Sequence, residues 1–279
     1  MSRSFRITTL VDDIVHRRDL LAEHGLAFWI ETGDANVLFD TGQSSIITHN
    51  AKELDIDLAA TDAIVLSHGH YDHTGGLPAL CEIVIEPRLY MHPAALAAKF
   101  SRHKNGECKP AGIPESSEAC IRTQRVDAIL STEPREVADG LFITGEIPRT
   151  NDFEDSGGDF HLDAGCSAPD PLLDDQALYF TTDEGVVIVL GCAHAGVINT
   201  ITHIQKLAGG MPIRAIIGGM HLVSASPARL NITVKALRET KPQLIAPGHC
   251  TGAKAIALLW SEFPDQCAEC AVGSRFVFP

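Results

Sequence analysis

The feature that most limits what this chain can fold into is His68-Gly69-His70-Tyr71-Asp72-His73, set directly after the apolar run at 63–67. His68 and His70 are two residues apart, so on an extended backbone both side chains project to one side. Asp72 and His73 follow where the chain turns, which lets them aim at a second point a few ångströms away. Gly69, Gly75 and Gly76 relieve crowding where backbone passes close to such a cluster. Imidazole and carboxylate suit zinc, manganese or iron, and paired sites of this kind hold ions about 3.5–4 Å apart.

Three further histidines end apolar runs in the same way. His194 follows 186–193, His221 follows 216–220 and His249 follows 244–248, each close to glycine. In open α/β sheets ligands gather at the carboxyl ends of strands, so all three are expected at one cleft with the 68–73 cluster.

The rest of the chain supplies the layers. Strands are predicted at 4–10, 26–31, 36–39 and 63–67, with a hairpin turn at Thr32-Gly33-Asp34. Strands are also read at 83–85 and 89–91, and helices at 44–54 (capped by Ser44 or Ser45) and 93–100. The last third alternates: strands at 185–190, 213–217 and 244–246, helices at 199–207, 228–240 and 253–263. Unbroken apolar strands between helices imply a sheet covered by helices. One domain over 1–279 is expected, with two sheets and helices outside. Insertions near 101–120 and 150–175 lack periodicity and are read either as covers for an active site or as unstructured excursions.

Charge and cysteines set the expected partners. The formal charge is −14, which repels nucleic-acid backbone and anionic membrane, so neither is expected. Two bound divalent cations would reverse the sign locally and admit an anionic small-molecule substrate. No run approaches the ~20 apolar residues of a membrane span, and the first ten residues lack a secretory pattern, so a cytoplasmic location and reduced thiols are expected. A Cys108–Cys120 disulfide is not expected, and Cys267/Cys270 read as two reduced thiols.

The 68–73 cluster resembles the HxHxDH motif of the metallo-β-lactamase superfamily. Asp40-Thr41-Gly42 is similar to the aspartate-bearing strand end that precedes it there, and Pro247-Gly248-His249 to a late strand-end histidine. More narrowly, Thr144-Gly145-Glu146-Ile147-Pro148-Arg149 with Phe153-Glu154, Gly191-Cys192-Ala193-His194-Ala195-Gly196, Gly219-Met220-His221-Leu222 and Pro247-Gly248-His249-Cys250-Thr251-Gly252 resemble one subgroup. That subgroup is labelled dihydropterin–ribofuranosylaminobenzene-phosphate synthase-like. The resemblance implies an α/β fold, the four-layer αββα sandwich, and a metal-activated water as nucleophile.

One departure bears on the ligands. Hydrolases of the superfamily usually carry a metal-bridging aspartate after the strand that here ends in Gly191-Cys192, and a further histidine before it. Cys192 falls where that aspartate would be, and His161, the nearest upstream histidine, is poorly spaced. The ligand set is therefore read as His68, His70 and His194 for one cation and Asp72, His73 and His249 for the other. Cys192 stays open between inert packing and a bridging thiolate. Zinc is the first expectation for both cations, with manganese or iron as alternatives. Asp72 and His221 are the candidate catalytic groups, one orienting water and the other protonating a leaving group; His221 is also open as ligand or substrate contact. Arg149 and Glu146 are candidate substrate contacts, Arg149 alternatively a structural ion pair, and Asp40 a supporting group. The expected reaction is hydrolysis of a phosphorylated or other ester-type small molecule. The rivals are the synthase reaction, in which a dihydropterin-methyl diphosphate is joined to ribofuranosylaminobenzene phosphate, and an iron-dependent redox enzyme.

Overall fold

Long strands here bury both faces, and the reason is that each sheet is covered twice. The computed structural model describes residues 4–85 and 87–279; the first three residues of the segment read for an export signal lie outside the described residues. The chain begins β1 (Phe5–Val11), β2 (Ala27–Glu31) and β3 (Asn36–Phe39), with β2 and β3 joined by the expected hairpin. Helix α1 (Ile46–Glu53), β4 (Ala63–Val65) and the single turns α2 (Tyr71–Thr74) and α3 (Leu77–Leu80) follow. Next come β5 (Arg88–Met91), β6 (Phe100–Arg102), β7 (Cys108–Pro110), α4 (Glu115–Arg122), β8 (Asp127–Leu130), β9 (Arg135–Ala138), β10 (Leu141–Ile143) and β11 (Phe160–His161). The last part is β12 (Ala177–Thr182), β13 (Gly185–Leu190), α5 (Val197–Leu207), β14 (Ile213–Gly219), α6 (Pro227–Thr240), β15 (Ile245–Gly248), α7 (Ala253–Glu262) and β16 (Arg275–Phe278).

One sheet has the order β16-β1-β2-β3-β4-β5-β8 and the other β15-β14-β13-β12-β10-β9. Phe5, Phe28, Phe39 and Val65 of the first meet Leu141, Phe180, Val187 and Ile217 of the second in one buried core. A second core packs Ile188, Ile216 and Ile245 against Ile201, Leu237 and Leu259 of α5, α6 and α7. A third sets Trp29, Leu38 and Ile64 against Ile47, Leu77 and Cys120 of α1, α3 and α4. These three interfaces make the four-layer αββα sandwich. In β13 alone Val186, Val187, Ile188, Val189 and Leu190 are fully buried, each worth about 1.5–3 kcal/mol of transfer free energy.

Four expectations change. Residues 83–85 form turns instead of a strand, with Ile85 exposed, and the 93–100 helix is a 3₁₀ turn at Pro93–Leu96 that leads into β6. The two insertions are not unstructured: β6, β7 and β11 form a third sheet, so the insertions pair with each other. The expectation of reduced thiols fails at one pair, because the β11-β6-β7 pairing brings Cys108 to Cys166, with Cα atoms 6.2 Å apart, and they form a disulfide. Cys120 remains a buried free thiol. Among the described residues no helix is long and apolar enough to cross a membrane.

Candidate metal centre

Sheet direction gathers the site. β3, β4 and β5 are parallel in one sheet, and β13, β14 and β15 in the other. Asp40 follows β3, His68 follows β4, and Cys192, His194, His221 and His249 follow β13, β14 and β15. Four of the residues just past these strands are left-handed without being glycine: Asp40 (φ 60°), Ala193 (54°), His221 (45°) and His249 (46°). Each costs about 1–2 kcal/mol for a residue with a Cβ, and such strain gathers where function over-determines the backbone. Gly69 serves a different need. A Cβ there would lie 2.2 Å from Ala95 O, so the 68–73 loop can pack this close only with glycine.

The first group of ligand atoms is neutral and aimed. His68 Nε2 and His70 Nδ1 lie 2.9 Å apart. His68 Nδ1 is engaged by Ser67 Oγ at 2.8 Å, and that hydroxyl donates to Asp40 Oδ2 at 2.7 Å. His194 Nδ1 donates to Ser156 O at 2.8 Å, which leaves a buried Nε2 with no hydrogen-bond partner. Burial holds His68 and His194 well below the ordinary imidazole range and brings His70 down to about 4, so all three present lone pairs at neutral pH.

The second group faces it. His73 Nδ1 donates to Asp40 Oδ2 at 2.7 Å, and His73 Nε2 lies 3.1 Å from Cys192 Sγ and 3.8 Å from Asp72 Oδ2. His249 Nδ1 donates to Asp13 Oδ1 at 2.7 Å, and its Nε2 lies 3.4 Å from Asp72 Oδ2. Burial works against ionisation of Asp72, but His73, His249 and His70 together outweigh it and hold the carboxyl well below its usual range. Cys192 Sγ is shared, within 4.8 Å of ligand atoms of both His68/His194 and His73/His249. Burial pushes its thiol well up, so a thiolate there calls for cations alongside it.

The spacing suits cations. Four ligands at about 2.1 Å around a tetrahedral ion stand roughly 3.4 Å from one another. The separations above, 2.9 to 3.8 Å, bracket that value. Each of His68, His73, His194 and His249 also has its far nitrogen held by an oxygen, the support that fixes ligand orientation.

The candidate residues named from the sequence divide. His68, His70, Asp72, His73, His194, His249 and Cys192 converge, and Asp40 supports two of them through one carboxylate. His221 lines the same cavity of about 430 Å³, its ring 4.2 Å from that of His194 and its buried Nδ1 without a partner. Arg149 and Glu146, the candidate substrate contacts, lie outside the lining of this cavity and together line a second pocket. Arg149 spends its donors on His194 O (2.8 Å) and Pro171 O (2.9 Å), bracing a ligand-bearing loop from behind. Glu146 stands half-exposed beside a separate pocket, 3.9 Å from His92 Nε2. His161 pairs with Asp159 at 2.7 Å, away from the ligands.

Several groups escaped sequence reading. β1 runs antiparallel to β2, which runs antiparallel to β3, so β1 ends at the same edge as β3. Its end carries Asp12, which accepts from His249 N at 2.9 Å, and Asp13. The strand-end rule applied to β1 would have found them. Buried Lys99 bridges Asp170 (2.9 Å) and Asp174 (2.8 Å), and Asp174 also accepts from Gly69 N at 2.8 Å. No local pattern announces that network. The insertions cover the cavity with Ser101, His103, Lys109, Pro110 and Phe160.

Comparison with known proteins agrees with this geometry. The sequence profile described as the metallo-beta-lactamase superfamily matches residues 21–249. The 7,8-dihydropterin-6-methyl-4-(beta-D-ribofuranosyl)-aminobenzene-5'-phosphate synthase of Methanocaldococcus jannaschii is 32% identical over 99% of this chain and 97% of its own. A crystal structure described as a metal-dependent hydrolase of the beta-lactamase superfamily superposes with a TM-score of 0.83, at 29% identity and 98% coverage of both chains. A metallo-beta-lactamase fold protein from Bacillus subtilis shares the fold at TM-score 0.61, 13% identity and 99% coverage of both chains.

Proposed function

The chain belongs to the metallo-β-lactamase superfamily, and from that premise we propose that it is a two-cation hydrolase acting on an anionic, ester-type small molecule. The observation that carries this reading is the position of Cys192 Sγ, common to two groups of histidines. His68, His70 and His194 would hold one divalent cation, and His73, His249 and Asp72 the other, with Cys192 between. Zinc fits this nitrogen, sulfur and carboxylate set first.

The chemistry that two such cations supply when bound is a water whose pKa falls from about 15.7 towards ~7, together with polarisation of a substrate oxygen. The residues do the rest. Asp40 and Ser67 hold the imidazoles in place, and Asp72 orients the attacking water. His221, which lines the cavity and has a buried Nδ1 without a hydrogen-bond partner, would hold the proton for the leaving group. Lys109 and His103 on the β6–β7 hairpin line the cavity and suit a phosphate or carboxylate, in a chain otherwise strongly acidic.

A second reading is supported by the synthase relative, which is similar over nearly the full length. In it the same cations would hold a diphosphate leaving group while an arylamine ribose phosphate attacks. Metal analysis, then assays on phosphodiesters, lactones and thioesters and separately on the pterin pair, divides the two. Turnover of simple esters with two metals per chain is the expected result. Turnover of the pterin pair alone transfers the assignment to the synthase, and a coloured iron protein would favour redox chemistry.

A further inference from the structure

His24 belongs to none of the motifs that mark the site. It stands between β1 and β2, where the chain closes on the loop carrying Asp72. Leu26 N donates to Asp72 O at 3.3 Å, and a Cβ on Gly25 would meet that same carbonyl at 2.6 Å. The glycine permits the approach, and the approach brings His24 to the cavity lined by Asp72 and His249.

Asp13 then sets its orientation. Its Oδ1 accepts from His249 Nδ1 at 2.7 Å and its Oδ2 from His24 Nδ1 at 3.0 Å. One aspartate thus holds two imidazoles by the same nitrogen, and a carboxylate at that nitrogen is what fixes the tautomer and aim of metal-ligating histidines. The far nitrogens behave alike: His24 Nε2 and His249 Nε2 each lie 3.4 Å from Asp72 Oδ2. A divalent cation among these three atoms would take the place of the two imidazole protons as partner of the carboxylate. The separation is also that of neighbouring ligands around a divalent ion, about 3.4 Å.

We infer that His24 is a further ligand of the second cation, alongside Asp72, His73 and His249, an assignment that rests on the two-cation reading. Its half-exposed ring closes that position on the side facing the cavity mouth.

The test is a proton–cadmium correlation NMR spectrum of the full chain loaded with a spin-active cadmium isotope, with cadmium titrations of wild type and His24→Ala. The expected result is coupling of the His24 ring to the cadmium that also couples to His249. Loss of the side chain should then weaken one of the two cadmium equivalents about tenfold or more and leave the other unchanged. Two bound cadmium ions with coupling to His249 but none to His24 would overturn this inference and spare the two-cation reading. Weaker binding in His24→Ala without coupling would also overturn it, by showing that His24 acts through Asp13. A protein that takes up no cadmium would remove both readings.

Discussion

Cys192 Sγ lies 3.1 Å from His73 Nε2, although 119 positions separate them in sequence and they belong to different sheets. With His73 Nδ1 donating to Asp40, its Nε2 accepts from the Cys192 thiol, and the same two atoms are placed to share a cation once the thiol loses its proton. The site is built across the seam between the sheets, with His68, His70, Asp72 and His73 on one side and Cys192, His194 and His249 on the other.

Replacing that sulfur tests the seam. Cys192→Ser should weaken metal binding about 10–100-fold, and Cys192→Asp should restore two metals per chain with a carboxylate in the same place. Cobalt loading gives the readout, since the thiolate charge-transfer band should vanish in both variants. A band that survives in Cys192→Ser would mean the sulfur never touches the metal.

His221 is expected to act on the reaction and not on the metal. His221→Gln should lower kcat by about 10²–10⁴-fold while the metal count stays at the wild-type value. Metal loss in this variant would make His221 a ligand instead, and unchanged kcat would remove it from the chemistry.

Lys99 stands buried between two aspartates. Lys99→Met strands their charges and should cost about 3–5 kcal/mol in urea unfolding. Adding Asp170→Asn and Asp174→Asn should recover much of that loss, because the stranded charges go while the amide oxygen introduced at position 174 can still accept from Gly69 N. Equal stability of wild type and Lys99→Met would contradict the cost assigned to burying those carboxylates unpaired.

The Cys108–Cys166 bridge closes a sequence separation of 58 residues over the cavity. Chain entropy alone assigns such a loop about 4 kcal/mol. Cys108→Ser, or reduction of the wild type, should lower Tm and raise protease cutting within 100–110 and 158–168. The sandwich core, built from other residues, should keep its far-UV circular dichroism. A thermal midpoint indifferent to reductant would show that the insertions are held by their strand pairing alone.

Much of the candidate site was legible because its candidate ligands come in short local patterns. His68 and His70 alternate on an extended run, and His194, His221 and His249 each follow an apolar strand, so spacing alone placed them at strand ends. The partners of Arg149 were not legible, for the opposite reason. A guanidinium beside a glycine- and proline-bearing turn is chemically suited to an anion, yet which acceptors it meets depends on where a distant loop passes, and here these are His194 O and Pro171 O. His24 carried no signal that distinguishes it from surface residues, whereas Asp13 stood at a strand end that the rule covers but was not applied to.

By itself the sequence determined the alternation of strands and helices and most of the candidate ligand types, because periodicity and strand-end position are local properties of the chain, while the four-layer sandwich followed from the family resemblance of its motifs. Only the tertiary structure decided that β1 delivers Asp13 to His249, that the two insertions pair and join through Cys108 and Cys166, and that Cys192 stands between two sets of histidines. Those outcomes depend on sheet register and on how far the backbone can close, as at Gly25 and Gly69. They bring together residues that no window of sequence contains.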